Sequence, residues 1–212
     1  MSSPWEKYKH LWCREELPAH SLLLHEGDIC RKIYYIRQGA VRAWFNHGDR
    51  EICFQFFFEG DVVYAPESLR RKIPSPFSLE TIEPCTLFYI HDADLETIRE
   101  DIPLYNLILD KVVQRQSEFM QHFFTFLKDT PQQRYEDLLK NKPEIVRRVP
   151  LQYIASYLGI TQVSLSRIRS RCRRLSATAS PFHSITASAV GSCLCPRSTP
   201  AKYVLVIPLR RS

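Results

Sequence analysis

The chain has 212 residues and a mass of 24.9 kDa, with 44% apolar and 25% charged residues. That composition supports one or two globular domains with a sizeable core and excludes a disordered or fibrous chain. No stretch approaches the roughly 18 uninterrupted apolar residues of a membrane span, and the opening MSSPWEKYKH lacks the apolar core of a secretory signal, which predicts a cytoplasmic protein with no membrane partner. Of the seven Cys, Cys13, Cys30, Cys53 and Cys85 are scattered without CxxC or His-paired spacing, which disfavours a disulfide framework and predicts no metal site. The net charge of +6 is unevenly placed. Residues 1–133 carry 15 basic and 20 acidic side chains, residues 134–171 carry 8 and 3, and residues 172–212 carry 6 and none. A mildly acidic front followed by a compact basic block is the electrostatic footprint of a module that meets a polyanion.

In chain order, Trp5, Tyr8, Leu11 and Trp12 recur at helical spacing and predict a short amphipathic helix over residues 5–17. SLLLHEGD, KIYYIRQGAVRAWF, REICFQFFFEGDVVYA and SLETIEPCTLFYI then read as successive strands rich in Ile, Val, Tyr and Phe. Glu26-Gly27-Asp28, Gln38-Gly39, Asn46-His47-Gly48-Asp49 and Glu59-Gly60-Asp61 supply the turns between them. Short strands with regular glycine corners indicate an antiparallel barrel or sandwich. Asp92 is placed to cap a short helix, ADLETIREDI, and after Pro103 an unbroken helical stretch runs to Thr130. Leu104, Ile108, Val112, Phe119, Phe123 and Phe126 fall on one side of that stretch, and Val113, Met120, Phe124 and Leu127 widen the apolar surface. So broad a surface predicts a helix that packs on the barrel with one flank and on a twofold mate with the other. Thr130 as N-cap and Pro131 at the first helical position restart a helix that carries Tyr135, Leu138 and Leu139 inward and ends near Asn141-Lys142-Pro143.

The stretch Val149 to Arg171, VPLQYIASYLGITQVSLSRIRSR, is the most informative. Leu151, Ile154 and Leu158 share a helical face, Ala155 is small on the inner side, Gly159 suits a sharp turn, and Thr161 caps a second helix that carries Leu165 and Ile168 inward. That spacing is the spacing of a helix-turn-helix. Thr161, Gln162, Val163, Ser166, Arg167, Ser170 and Arg171 are left to face outward. Arg167 can donate twice to guanine, Gln162 can pair with adenine, Val163 can meet a thymine methyl group, and Thr161 and Ser166 can bond phosphate. Arg148, with Arg147 and Arg169, adds charge for the DNA backbone. The last 41 residues, from Cys172, contain no Asp, Glu, Asn or Gln but seven Ser, four Pro and three Cys. This abrupt change reads as an out-of-frame extension outside the fold that interrupts the second helix; a flexible basic tail or a strand YVLVIPL is the alternative.

The order β-roll, long helix, helix-turn-helix resembles the catabolite activator and fumarate-nitrate regulator (CRP/FNR) family of bacterial transcription factors. HEGDICRKIYYIRQGAVRAW is similar to that family's first sensor hairpins, and IASYLGITQVSLSRIRSR to its DNA-binding helices. The resemblance implies an α+β fold: a cyclic-nucleotide-binding-like antiparallel β-roll over residues 1–102, a dimerisation helix over 103–129, and a winged-helix-like helix-turn-helix module over 130–171, with 172–212 outside. It also implies a homodimer on double-stranded DNA, its recognition helices about 34 Å apart, with RNA polymerase as a partner and a small-molecule effector in the β-roll.

Glu67, Ser68, Phe77 and Ser78 are the candidate effector-pocket residues. The family's cyclic-nucleotide sensors place an Arg about ten residues after a Gly-Glu pair, whereas this chain has Pro76-Phe77-Ser78 there, so a buried phosphate lacks its guanidinium unless Arg70, Arg71 or Lys72 substitutes. A sensor that does not bind cyclic nucleotide is therefore expected. Isolated Cys13 and Cys30 do not reproduce an iron–sulfur pattern, and His25, His47 and His91 are lone histidines, so no cofactor is expected. Glu67, Ser68 and His91 match no catalytic motif, which predicts a protein that is not an enzyme. The competing reading is a ligand-binding module whose C-terminal helices dock an acidic protein partner.

Overall fold

Alternating β-branched and aromatic residues build eight strands: β1 (Cys13–Leu17), β2 (Leu22–Leu24), β3 (Lys32–Gln38), β4 (Val41–His47), β5 (Arg50–Phe57), β6 (Val62–Val63), β7 (Ser78–Thr81) and β8 (Cys85–His91). The structure is a computed structural model that describes Tyr8 and residues 10–178. Trp5 and the possible strand YVLVIPL lie outside the described residues. The strands form two four-stranded sheets, β1-β8-β3-β6 and β2-β7-β4-β5, with every pair antiparallel. Seven α-helices accompany them among the described residues: α1 (Pro66–Arg71), α2 (Leu95–Arg99), α3 (Ile102–Lys128), α4 (Pro131–Asn141), α5 (Pro143–Arg148), α6 (Leu151–Tyr157) and α7 (Gln162–Thr178). The fold is thus α+β, antiparallel sheets first and helices after.

The interior of the roll is made by inward residues of facing strands. Ile36, Val41, Val63, Leu79 and Leu87 are sealed from solvent in one cluster. A second cluster ties the C-terminal helices to the roll: Trp44, Cys53, Phe56 and Phe58 share a core with Tyr135, Leu138, Ile154, Leu158 and Leu165. A third joins Tyr8 and Ile90 to Ile98 of α2 and Ile108 of α3.

Three local expectations are corrected. Cys13–Leu17 is not helical: it pairs along β8, from Cys13 opposite Tyr89 to Leu17 opposite Cys85. A segment this short gains little as an isolated helix, whereas pairing satisfies the edge of β8. Leu139 is 40% exposed, while Tyr135 and Leu138 of the same helix are buried. Finally, α7 runs through Cys172 to Thr178. Arg, Leu and Ala are good helix formers, so the helix does not stop where the composition changes.

Elsewhere local chemistry and structure agree. Thr130 caps α4 in a full capping box, accepting from the Gln133 N–H while the Gln133 side chain accepts from the Thr130 N–H. Gly39, in the β3–β4 corner, has φ +103°, and a Cβ there would lie 2.5 Å from Cys85 Sγ and 2.7 Å from the Pro84 carbonyl oxygen. Both the backbone sign and the space demand glycine. Gly39→Ala is expected to lower stability by about 1–3 kcal/mol, measured by urea denaturation, and an unchanged midpoint would contradict the close approach.

Candidate nucleic-acid interface

α6 and α7 are held as a crossed pair by residues that the spacing singles out. Ile154, Ala155, Leu158 and Leu165 are buried together, with Ile168 packed against them. Gly159 turns the chain at φ +67°, and a Cβ there would strike the Phe126 ring of α3 at 2.5 Å. Its smallness therefore serves a second contact as well as the turn. Thr161 Oγ1 accepts from the Ser164 N–H at 3.2 Å, which caps α7.

The outward face of α7 is as expected in position. Thr161, Gln162, Val163, Ser166, Arg167, Ser170 and Arg171 are all exposed, Val163 at 61%. Gln162 and Arg167 form no hydrogen bond or ion pair with other described residues, so both side chains are available to a ligand. The others are partly engaged: Thr161 with its cap, Ser170 with the Ser166 carbonyl at 3.0 Å, and Arg171 with Gln132 Oε1 at 3.3 Å.

Arg148 does not join that face. Its guanidinium donates to both oxygens of Glu59 at 2.7 Å, also pairs with Glu83, and lies over the Phe58 ring. Two carboxylates and an aromatic ring compete successfully for it, so here Arg148 fastens the C-terminal helices to the β-roll instead of presenting charge to phosphate. Arg148 in turn holds the Glu59 carboxyl at about 2.

Two further contacts make the same junction. Ser156 of α6 lies against β5, the edge strand of its sheet; its hydroxyl donates to the Glu51 carbonyl and accepts from the Cys53 N–H, both at 2.9 Å. This satisfies backbone groups that an uncovered edge leaves to water. Arg42, 2% exposed, pairs with Glu80 at 2.6 Å and Glu51 at 2.7 Å and places its guanidinium 3.9 Å from the Tyr153 ring centroid. The charge is fully compensated, and its face is covered by the aromatic ring of α6. His122 of α3 stacks on Tyr157 with centroids 3.9 Å apart and planes 11° apart. Burial, with Lys142 and Arg134 nearby, brings the His122 imidazole down to about 4. Nothing in the local spacing of Arg42, Ser156 or His122 marks these roles, because their partners lie far away along the chain.

The candidate effector residues separate. Glu67 is on the surface, bound by Arg70 and Arg71 of its own helix, which hold its carboxyl below the usual value. Ser68 and Ser78 are fully buried structural groups: Ser68 Oγ accepts from Cys30 N–H and donates to the Ile73 carbonyl, and Ser78 Oγ accepts from Glu26 N–H. Only Phe77 lines a cavity, its ring edge-on to Phe54 at 5.3 Å. Arg70 and Arg71 pair with Glu67, and Lys72 pairs with Asp92. Among the lone histidines, His25 bonds the Glu26 carbonyl and His91 meets the Tyr89 ring edge-on. No group of His, Cys, Asp or Glu among the described residues could hold a metal ion, and no helix among them is long and apolar enough to cross a membrane.

Residues 14–101 match the cyclic nucleotide-binding domain family. The structure is similar to FixK2 of Bradyrhizobium japonicum (TM-score 0.66, 18% identity, 78% of this chain and 86% of that one). It is also similar to the c-di-GMP-responsive global regulator CLP of Xanthomonas campestris (0.65, 20%, 82% and 91%). A CRP-family transcriptional regulator from Thermus thermophilus is a third relative in fold (0.63, 13%, 76% and 85%). The fold is shared with these three proteins. No curated protein matches the sequence.

The junction between the C-terminal helices and the β-roll carries a pH signature. The His122 value lies below the ordinary 6.5, so the unfolded chain takes up the proton first, and stability is complete above about 6.5 and falls as pH drops toward 4. His122→Phe, which keeps a ring against Tyr157, is expected to remove a loss on the order of 2–3 kcal/mol across that window, read from thermal melts at stepped pH.

Proposed function

We propose that the protein is a cytoplasmic, dimeric, sequence-specific DNA-binding transcription regulator without catalytic activity, whose β-roll senses an effector other than a cyclic nucleotide. The observation that carries this reading is the outward face of α7, where Gln162 and Arg167 stand exposed with no hydrogen bond or ion pair to the described residues, above a buried Leu165. Gln and Arg at successive turns of a helix match adenine and guanine edges in the major groove, and the flanking Ser and Thr hydroxyls suit phosphate. The fold shared with FixK2 and CLP supports it. RNA polymerase is the partner such a regulator would address from DNA. Non-recognition of cyclic nucleotide rests on Pro76-Phe77-Ser78, which stands where the resemblance leads one to expect a phosphate-binding arginine.

The dimer reading rests on α3. Leu109, Val113, Met120, Phe124 and Leu127 are each at least 40% exposed and recur every three, four or seven residues, forming one stripe along the helix. Val113→Glu combined with Phe124→Glu is expected to convert a dimer to monomer in sedimentation velocity while the circular dichroism spectrum is unchanged. In footprinting on selected duplexes, Arg167→Ala should weaken binding by about 1–3 kcal/mol and relax preference at one base pair. A protein that protects every duplex equally would overturn the proposal.

A further inference from the structure

The Phe77 cavity is larger and differently built than a pocket inside the roll alone. It has a volume of about 710 Å³ and is walled by three parts of the chain: β4, β5 and β6 with the loop before β7, the inner face of α3, and Ser156, Tyr157 and Gly159 of the helix-turn-helix. That volume is within the usual range for small-molecule sites, roughly 300–1,000 Å³. Its surface is dominated by Phe45, Phe54, Phe77, Phe119, Phe123 and Phe126. Phe54 is the centre of this set, 6.0 Å from Phe45, 5.3 Å from Phe77 and 5.8 Å from Phe119 between ring centroids. It reaches that position because it is the extra residue of a β-bulge: Ala43 faces Gln55 and Trp44 faces Cys53, leaving Phe54 unpaired in β5.

The charges at the cavity wall are already neutralised. Arg115, the one lysine or arginine among its lining residues, pairs with Asp61 and with Glu118. His122, the other basic group there, is kept neutral by burial. A phosphate or carboxylate entering the cavity would lose water and find no free cation, whereas an uncharged ring system would gain from burial against the phenyl rings.

The wall on α3 is distinct from the helix's outward stripe. At 100° per residue, the mean direction of Val112, Arg115, Phe119, Phe123 and Phe126 lies roughly 100° from that of Leu109, Val113, Met120, Phe124 and Leu127. A second copy packed on the outer stripe therefore leaves the cavity wall in place.

We propose that this cavity is a binding site for an uncharged, ring-containing apolar small molecule. Its occupancy favours the arrangement in which α6 is seated on β5, because only then are all three walls together. The coupling to DNA rests on the regulator reading above; the binding site itself does not.

The test uses the full chain and N-phenyl-1-naphthylamine, an uncharged fluorescent ring compound. A saturable emission increase with one site per chain is expected, unaffected by excess cyclic AMP. Ile52→Trp and Val62→Trp fill the cavity from two strands and should each weaken binding by about tenfold or more, whereas the Val113→Glu, Phe124→Glu variant should retain it. No saturable signal, displacement by cyclic AMP, or unchanged affinity in both tryptophan variants overturns the site. Loss in the double glutamate variant overturns it too, since the pocket would then belong to a dimer interface. A gel shift with and without the probe reads the coupling: a change in DNA affinity of about threefold or more supports it, and bound probe with constant affinity refutes it. Absence of any DNA binding refutes the regulator reading, while the fluorescence still decides the site.

Discussion

An edge strand cannot leave its backbone bare against a neighbouring module, and the seating of α6 on β5 follows from that constraint. The Ser156 hydroxyl satisfies the Cys53 N–H and the Glu51 carbonyl, placing a helix of the C-terminal module where β5 would otherwise face water. Around this contact the other elements fall into position. Tyr153 comes over the paired Arg42, Tyr157 stacks on His122, and Arg148 reaches Glu59 and Glu83. The mostly apolar second core cluster is closed by the same docking, since its members come from β4, β5, α4, α6 and α7 together.

This arrangement separates the two surfaces of the helix-turn-helix by chemistry. The face toward the roll is aromatic, aliphatic and ion-paired. The face of α7 turned away is polar and keeps Gln162 and Arg167 unengaged by the described residues. Basic residues near one another in sequence are thereby sorted into different tasks: Arg148 binds carboxylates of the roll, Arg171 leans on α4 through Gln132, and Arg167 remains outward.

The β-roll around Phe77 is likewise sorted by chemistry. Phe77 packs on Phe54, and the hydroxyls of Ser68 and Ser78 are tied to backbone groups. What surrounds the cavity is a set of phenyl rings, with its remaining guanidinium neutralised by Asp61 and Glu118.

Wherever the physics is local, the chain alone determined the outcome. Strand rhythm, the positive-φ turn at Gly39, the capping box at Thr130, and the Ala155, Gly159, Thr161 and Leu165 spacing of the crossed helices are local and so legible in periodicity and capping chemistry, whereas the close approach of Gly39 to Cys85 is set by tertiary packing. The first strand departs from its helical spacing for the converse reason: Cys13–Leu17 takes its conformation from β8, more than 60 residues away, which no local pattern discloses. Tertiary structure alone decided that Arg148 faces carboxylates, that Ser156 covers an edge, and that Glu67, Ser68 and Ser78 are not a pocket. Those assignments depend on which groups folding brings within hydrogen-bond reach, and partners such as Cys53 and Ser156, or Glu59 and Arg148, are separated by so much chain that only the packed core places them together.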